Sequence, residues 1–177
     1  MKAILIFAVL ASCAFAADQA AVSSAESACG PGTIQFDVKT DKSQHPTVLA
    51  QDGKALVYIV EVFEKPGNQL GKPTTKVGLD GTWIGANKNN SYFSFPAETG
   101  DHHLCVAWQS TLKTYSKKVG LISFSAEPGK AYYFKTLITE HDERGGAWFT
   151  LDLEPVNNDE GQLLVASSAL STSRPKK

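Results

Sequence analysis

The chain has 177 residues, 42% hydrophobic and 20% charged, with a formal net charge of -1. That is enough for one well-buried domain and short for two once flexible ends are set aside. Basic residues form no block beyond the Lys117-Lys118 and Lys176-Lys177 pairs, which excludes the electrostatic footprint of a nucleic-acid binder.

Met1-Lys2, the apolar Ala3–Ala11 and the small-residue run Ser12-Cys13-Ala14-Phe15-Ala16-Ala17 read as an export signal peptide over residues 1–16, cut after Ala16 or one residue later. The apolar part is about half the length needed to cross a bilayer, so no transmembrane span is expected after processing. Leu10-Ala11-Ser12-Cys13 also resembles the bacterial lipobox, in which Cys13 becomes the lipidated first residue. One route gives a periplasmic or secreted protein, the other a membrane-anchored lipoprotein. Either leaves Cys29 and Cys105 as the unmodified cysteines in an oxidising compartment, which points to a disulfide between them. Closing the loop of nearly eighty residues between them removes about 4 kcal/mol of unfolded-state freedom on the chain-entropy account.

Residues 17–32, rich in Ala, Ser and Gly, read as a flexible tether. Ile34–Val38 alternates as a first short strand, and Lys39–Lys54, poor in apolar residues, reads as a long loop. Ala55–Phe63 is the strongest strand signal: Leu56, Tyr58, Val60 and Val62 take one face and Ala55, Val57 and Ile59 the other, as in a central strand covered on both sides. Lys65–Lys72 is a turn. Thr75–Ala86 is a hairpin about Asp80-Gly81, with Gly78 and Gly85 marking a bend or a close backbone approach. Asn87–Asn90 reverses the chain again.

Ser91–Ser110 reads as two strands about Glu98-Thr99-Gly100-Asp101, with Leu104, Val106 and Trp108 facing the core and His103, Cys105 and Ala107 facing away. The disulfide is therefore expected on the outer or edge side of this sheet. Lys118–Ala126 and Lys130–Thr139 are further strands, followed by a charged turn at Glu140–Gly145. In the next strand Ala147, Phe149, Leu151 and Leu153 oppose Trp148, Thr150, Asp152 and Glu154. Pro155 ends the pattern, a short helix capped by Asn158 or Asp159 runs to Ser168 with Leu163, Leu164 and Ser167 at helical spacing, and residues 169–177 form a disordered polar tail.

Eight or nine short strands, no alternating helices and one terminal helix point to an all-β fold over residues 33–168. The form expected is a two-layer antiparallel β-sandwich, immunoglobulin-like or transthyretin-like, with a short C-terminal helix.

Chemistry is sparse. His102 and His103 are strand neighbours and point to opposite faces. His45 and His141 fall in expected loops, the latter beside Glu140, Asp142 and Glu143. No phosphate loop, nucleophile elbow, paired-cysteine motif or zinc-protease motif is present, so no catalytic, metal or cofactor residue is assigned. Trp83, Tyr92, Trp108, Tyr115, Tyr133 and Trp148 are the candidates for a stacking surface. Trp83 and Trp148 are the ligand-contact choices; Trp148 opposes the apolar Phe149/Leu151 face and packs on the second face, beneath the C-terminal helix, if it is not a contact residue.

Val77-Gly78-Leu79-Asp80-Gly81, Thr99-Gly100-Asp101-His102-His103-Leu104 and Pro128-Gly129-Lys130-Ala131-Tyr132-Tyr133-Phe134, with the closing Gly161-Gln162-Leu163-Leu164, resemble the bacterial family called domain of unknown function 2846 over roughly Gly53–Ala166. The resemblance implies a small β-rich envelope domain among secreted proteins and lipoproteins, and it carries no catalytic residues. Cys29 and Lys39–Lys54 lie outside the shared part, so the disulfide rests on compartment and parity alone. The function expected is a non-enzymatic envelope binding or structural module for a protein, peptide or glycan. The rival is a metal-assisted hydrolase in which His103 or His141 meets carboxylates in a cleft.

Overall fold

A computed structural model describes residues 29–64, 74–109, 119–143 and 146–177. The signal segment with Cys13, the tether up to residue 28, the expected Lys65–Lys72 turn, Tyr115 and the Arg144-Gly145 end of the expected charged turn lie outside the described residues. Among the described residues ten strands and one helix follow in order: β1 Phe36–Asp41, β2 Ala55–Glu64, β3 Thr74–Leu79, β4 Thr82–Lys88, β5 Ser91–Ala97, β6 Gly100–Trp108, β7 Val119–Ala126, β8 Ala131–Glu143, β9 Gly146–Val156, α1 Asn158–Ser167 and β10 Ala169–Pro175.

The strands form two layers, a six-stranded sheet ordered β1-β10-β5-β2-β8-β9 and a four-stranded sheet ordered β4-β3-β6-β7. The all-β sandwich is thus the fold. The larger sheet is mixed rather than wholly antiparallel, since β2 pairs parallel to β8 and β10 parallel to β5. Parallel neighbours need a crossover, and the one between β2 and β8 runs through all four strands of the small sheet and through β5.

Alternation places the core. Val57, Ile59, Phe63, Phe134, Ile138, Phe149 and Leu151 of the large sheet meet Val77, Leu104, Val106 and Trp108 of the small one. β2 is covered on both faces: Val60 is fully buried on the face opposite this core. There Tyr133, Tyr58, Tyr92 and His45 form a row of ring contacts, closest between Tyr58 and Tyr133, stacked 4.9 Å apart. Asp80 and Gly81 both have positive φ, as do Asn89 and Asn90, so tight turns with left-handed residues lead into and out of β4.

Several expectations need correction. The first strand begins at Phe36 rather than Ile34 and runs through Lys39–Asp41. The side-chain amide of Gln109 acts as a partner strand for Phe36, accepting from its N–H at 2.7 Å and donating to its carbonyl at 2.9 Å. The charged Glu140–Gly145 turn is mostly strand, because β8 continues to Glu143 and pairs with β9 to its end. β9 likewise passes through Pro155 to Val156.

The helix cap is Asn157, whose side chain accepts from the Glu160 N–H at 2.9 Å. Leu163 is 69% exposed, so it is not on the packed face. Gly161 is: a β-carbon there would collide with the Tyr133 ring, and the glycine lets α1 lie against β8.

The supposed tail at residues 169–177 is β10, which pairs with β1 over six residue pairs from Phe36↔Pro175 to Asp41↔Leu170. The helix is therefore not terminal. Nor is the end of the supposed tether loose, since Cys29 and Gly30 are buried against the small sheet.

Candidate functional site

Cys29 and Cys105 are joined by a disulfide with Cα atoms 5.2 Å apart. Cys105 lies on β6 opposite the core face, as its parity requires, but β6 is a central strand and both cysteines are buried. The chain after Cys29 forms the cover. Its carbonyl sits where a side chain on Gly78 would be, at the irregularity of the β3–β4 pairing. Trp83 Nε1 donates to the Pro31 carbonyl at 2.8 Å, and Lys76 Nζ donates to the Ile34 carbonyl at 2.9 Å while lying 4.1 Å from the Trp83 ring centre. Burial lowers the Lys76 pKa, and the carbonyl and ring give its ammonium group polar partners. Trp83 thus fastens the N-terminal strap to the sheet.

Trp148 lies on the outer face of β9 and is 42% exposed. It does not pack beneath α1. Its indole is stacked on His141, with ring centres 3.9 Å apart and planes 11° from parallel, and the two residues are direct cross-strand partners. The His141 Nε2 lies 3.4 Å from Thr150 Oγ1. Trp83 is on β4, packed near β10 and β1, and Trp148 is on β9, packed near β7. The two tryptophans stand at opposite sides of the sandwich and form no common strip. Tyr92, Trp108 and Tyr133 are buried.

The histidines are dispersed. His45 Nε2 lies 3.0 Å from the Ser168 carbonyl, on the Tyr92 ring. His102 is buried, its Nδ1 2.7 Å from Asp80 Oδ2 and its Nε2 2.8 Å from the Glu98 carbonyl. Burial lowers the His102 pKa, but these two acceptors outweigh it and the net shift is upward. Burial likewise raises the Asp80 pKa, and the His103 N–H and the His102 ring more than reverse it, leaving it below the ordinary value. His103 points to the other face and is exposed. His141 is on a strand, not in a loop. Among the described residues no group of three or more His, Cys, Asp or Glu side chains could hold a metal ion. None of the described helices is long and apolar enough to cross a membrane.

A groove of about 520 Å³ is lined by Asp37, Arg174, Pro175, Lys176 and Lys177, all exposed. Charges along the β1–β10 ribbon suit an edge that avoids pairing with other chains.

Two residues that motif reading passed over are Tyr58 and Glu61. Tyr58 joins the tyrosines of β5 and β8 into one row. Glu61 is fully buried on the core face of β2 and accepts hydrogen bonds from Thr75 Oγ1 and the Asn89 N–H. Burial, only partly offset by those donors, pushes its carboxyl up to about 7. The signal for it was parity: Ile59, Glu61 and Phe63 share a face.

Comparison with known proteins found no matching family, no matching curated protein and no matching solved structure.

Proposed function

We propose that this is a non-enzymatic, exported β-sandwich that binds a cell-envelope glycan through the outer face of the β8–β9 hairpin. The observation that carries the reading is the His141–Trp148 stack. One face of the indole is held by the imidazole, which fixes the ring's orientation before any ligand arrives, and the ring retains 42% of its exposure. A pre-oriented flat ring binds the apolar face of a sugar at little conformational cost. The N-terminal leader pattern supports an envelope location. The disulfide agrees with an oxidising compartment.

The test is co-sedimentation with purified peptidoglycan sacculi and with chitin. The wild-type protein and Trp83→Phe are expected to sediment with at least one of them, and Trp148→Ala to lose about tenfold in affinity, the scale of one stacking contact. Equal retention of Trp148→Ala, or no retention of the wild type on either polymer, contradicts the proposal.

A further inference from the structure

Glu61 brings a carboxyl group into the interface between the two sheets. It stands on β2, yet its donors come from elsewhere: the Thr75 hydroxyl from β3 of the opposite sheet and the Asn89 N–H from the turn between β4 and β5. The same turn holds two other elements. The Asn90 side chain accepts from the Phe63 N–H at 2.9 Å, and the Asn90 carbonyl accepts from the Ala169 N–H at 3.2 Å, where β10 begins. β10 and β5 share only two registered pairs, Ala169↔Ser91 and Leu170↔Tyr92.

No ion pair neutralises Glu61 among the described residues. On β8 its register partner is Thr136, with Glu140 four residues further along the same face. On β3 and β4, Lys76 and Lys88 adjoin Thr75 and Asn87 and so point to the outer face. Ser91 of β5 and Trp108 of β6 bring no charge.

Two fully buried polar atoms beside it, Asn87 Oδ1 and Thr136 Oγ1, lack a hydrogen-bond partner among the described residues. Asn87 is the register partner of Thr75, as Thr136 is of Glu61. An ionised carboxylate can only accept, whereas a protonated one donates its O–H; Asn87 Oδ1 can only accept, so of the two forms only the protonated carboxyl could serve it, while the Thr136 hydroxyl can pair with either.

We infer that Glu61 is a proton-operated clasp, which ties the two sheets and the Asn89-Asn90 turn together when protonated and loosens that turn and the start of β10 when its proton passes to solvent. An uncompensated carboxylate in a dry interior is costly. The cheapest way to hydrate it is to open the turn, where two non-glycine residues hold positive φ, and the short β10–β5 junction. Because burial raises the carboxyl's pKa, the native state binds the extra proton between pH 4.5 and about 7, and stability falls as pH rises through that window.

The experiment is thermal melting and amide hydrogen exchange at pH 5 and pH 8 on the wild type, Glu61→Gln and Thr75→Val. The melting temperature of the wild type is expected to fall relative to that of Glu61→Gln as pH rises. Exchange at Phe63 and Ala169 should accelerate on the order of tenfold beyond the intrinsic pH effect in the wild type and not in Glu61→Gln. The His102 titration is common to both proteins and cancels in the difference. Thr75→Val removes a donor that favours the carboxylate, so it should move the midpoint to higher pH, whereas a merely structural loss lowers stability equally at both. A difference between wild type and Glu61→Gln that is the same at pH 5 and pH 8 overturns the inference. Should Glu61→Gln fail to fold, an unmoved midpoint in Thr75→Val overturns it.

Discussion

Ser171 Oγ donates to the Ala86 carbonyl at 2.9 Å, and the Ala86 N–H donates to Ser173 Oγ at 3.0 Å. Ala86 lies on β4, the edge of the small sheet, and the serines on β10 of the large one. Two side chains thus do across the sandwich what backbone groups do within a sheet, and they satisfy edge groups that would otherwise be buried without partners. Ser171→Ala is expected to destabilise the fold by about 1–3 kcal/mol, the cost of a buried carbonyl left without a donor. Denaturant unfolding measures it; a change within error would mean that the Ser171 hydroxyl does not help to dock β10.

The disulfide closes a separation of 76 residues and holds the N-terminal strap over Gly78 and Trp83. Cys105→Ala should lose up to about 4 kcal/mol under oxidising conditions. After reduction the variant and the wild type should unfold at nearly the same denaturant concentration. An equal gap in both conditions would assign the loss to packing at Cys105 rather than to the crosslink.

Gly161 permits the contact between α1 and Tyr133. Gly161→Ala improves helix propensity by about 1 kcal/mol, yet its β-carbon would meet the ring. A net destabilisation of about 1–3 kcal/mol is therefore expected, with loss of the raised Tyr133 pKa that burial produces. Ultraviolet titration of the tyrosines reads the second effect. A variant more stable than wild type would show that α1 does not press on β8.

The His102–Asp80 pair should contribute within a pH window. The His102 pKa is raised on folding, so its contribution is complete below the unfolded value of 6.5 and is lost as pH climbs through the higher folded value. The Asp80 pKa is lowered, so its contribution is present above 3.8 and is lost as pH falls through the lower folded value. A double-mutant cycle with His102→Asn and Asp80→Asn should give a coupling of about 1 kcal/mol or less at pH 5, since Asp80 is half exposed and screened. At pH 9 it should be smaller. A coupling that grows with pH would contradict the pairing.

Much of this was legible in the sequence where alternation was strong. Ala55–Phe63 read as a doubly covered strand because both parities are apolar, and Asp80-Gly81 read as a turn because few other dipeptides take positive φ so readily. Residues 169–177 read as tail because Ser171 and Ser173 reach their partners on β4 by hydroxyl groups, which local hydrophobicity does not register. Glu140–Glu143 read as a turn because charge masked the alternation, yet Glu140 is buried opposite Phe149. His141 was thereby separated from Trp148, its cross-strand partner. Glu61 sat in plain view on the core parity of β2, but its donors lie 14 and 28 residues away, and no local pattern reports such a meeting.

The three tryptophans allow the proposed binding surface to be read directly, because each contributes one indole N–H resonance. Trp83 donates to Pro31 and Trp108 is buried in the core, so titrating ¹⁵N-labelled protein with soluble peptidoglycan fragments and N-acetylglucosamine oligomers should shift the Trp148 signal and leave the other two in place. Movement of the Trp83 or Trp108 resonance with Trp148 unmoved, or no movement of any at saturating sugar, would contradict the account.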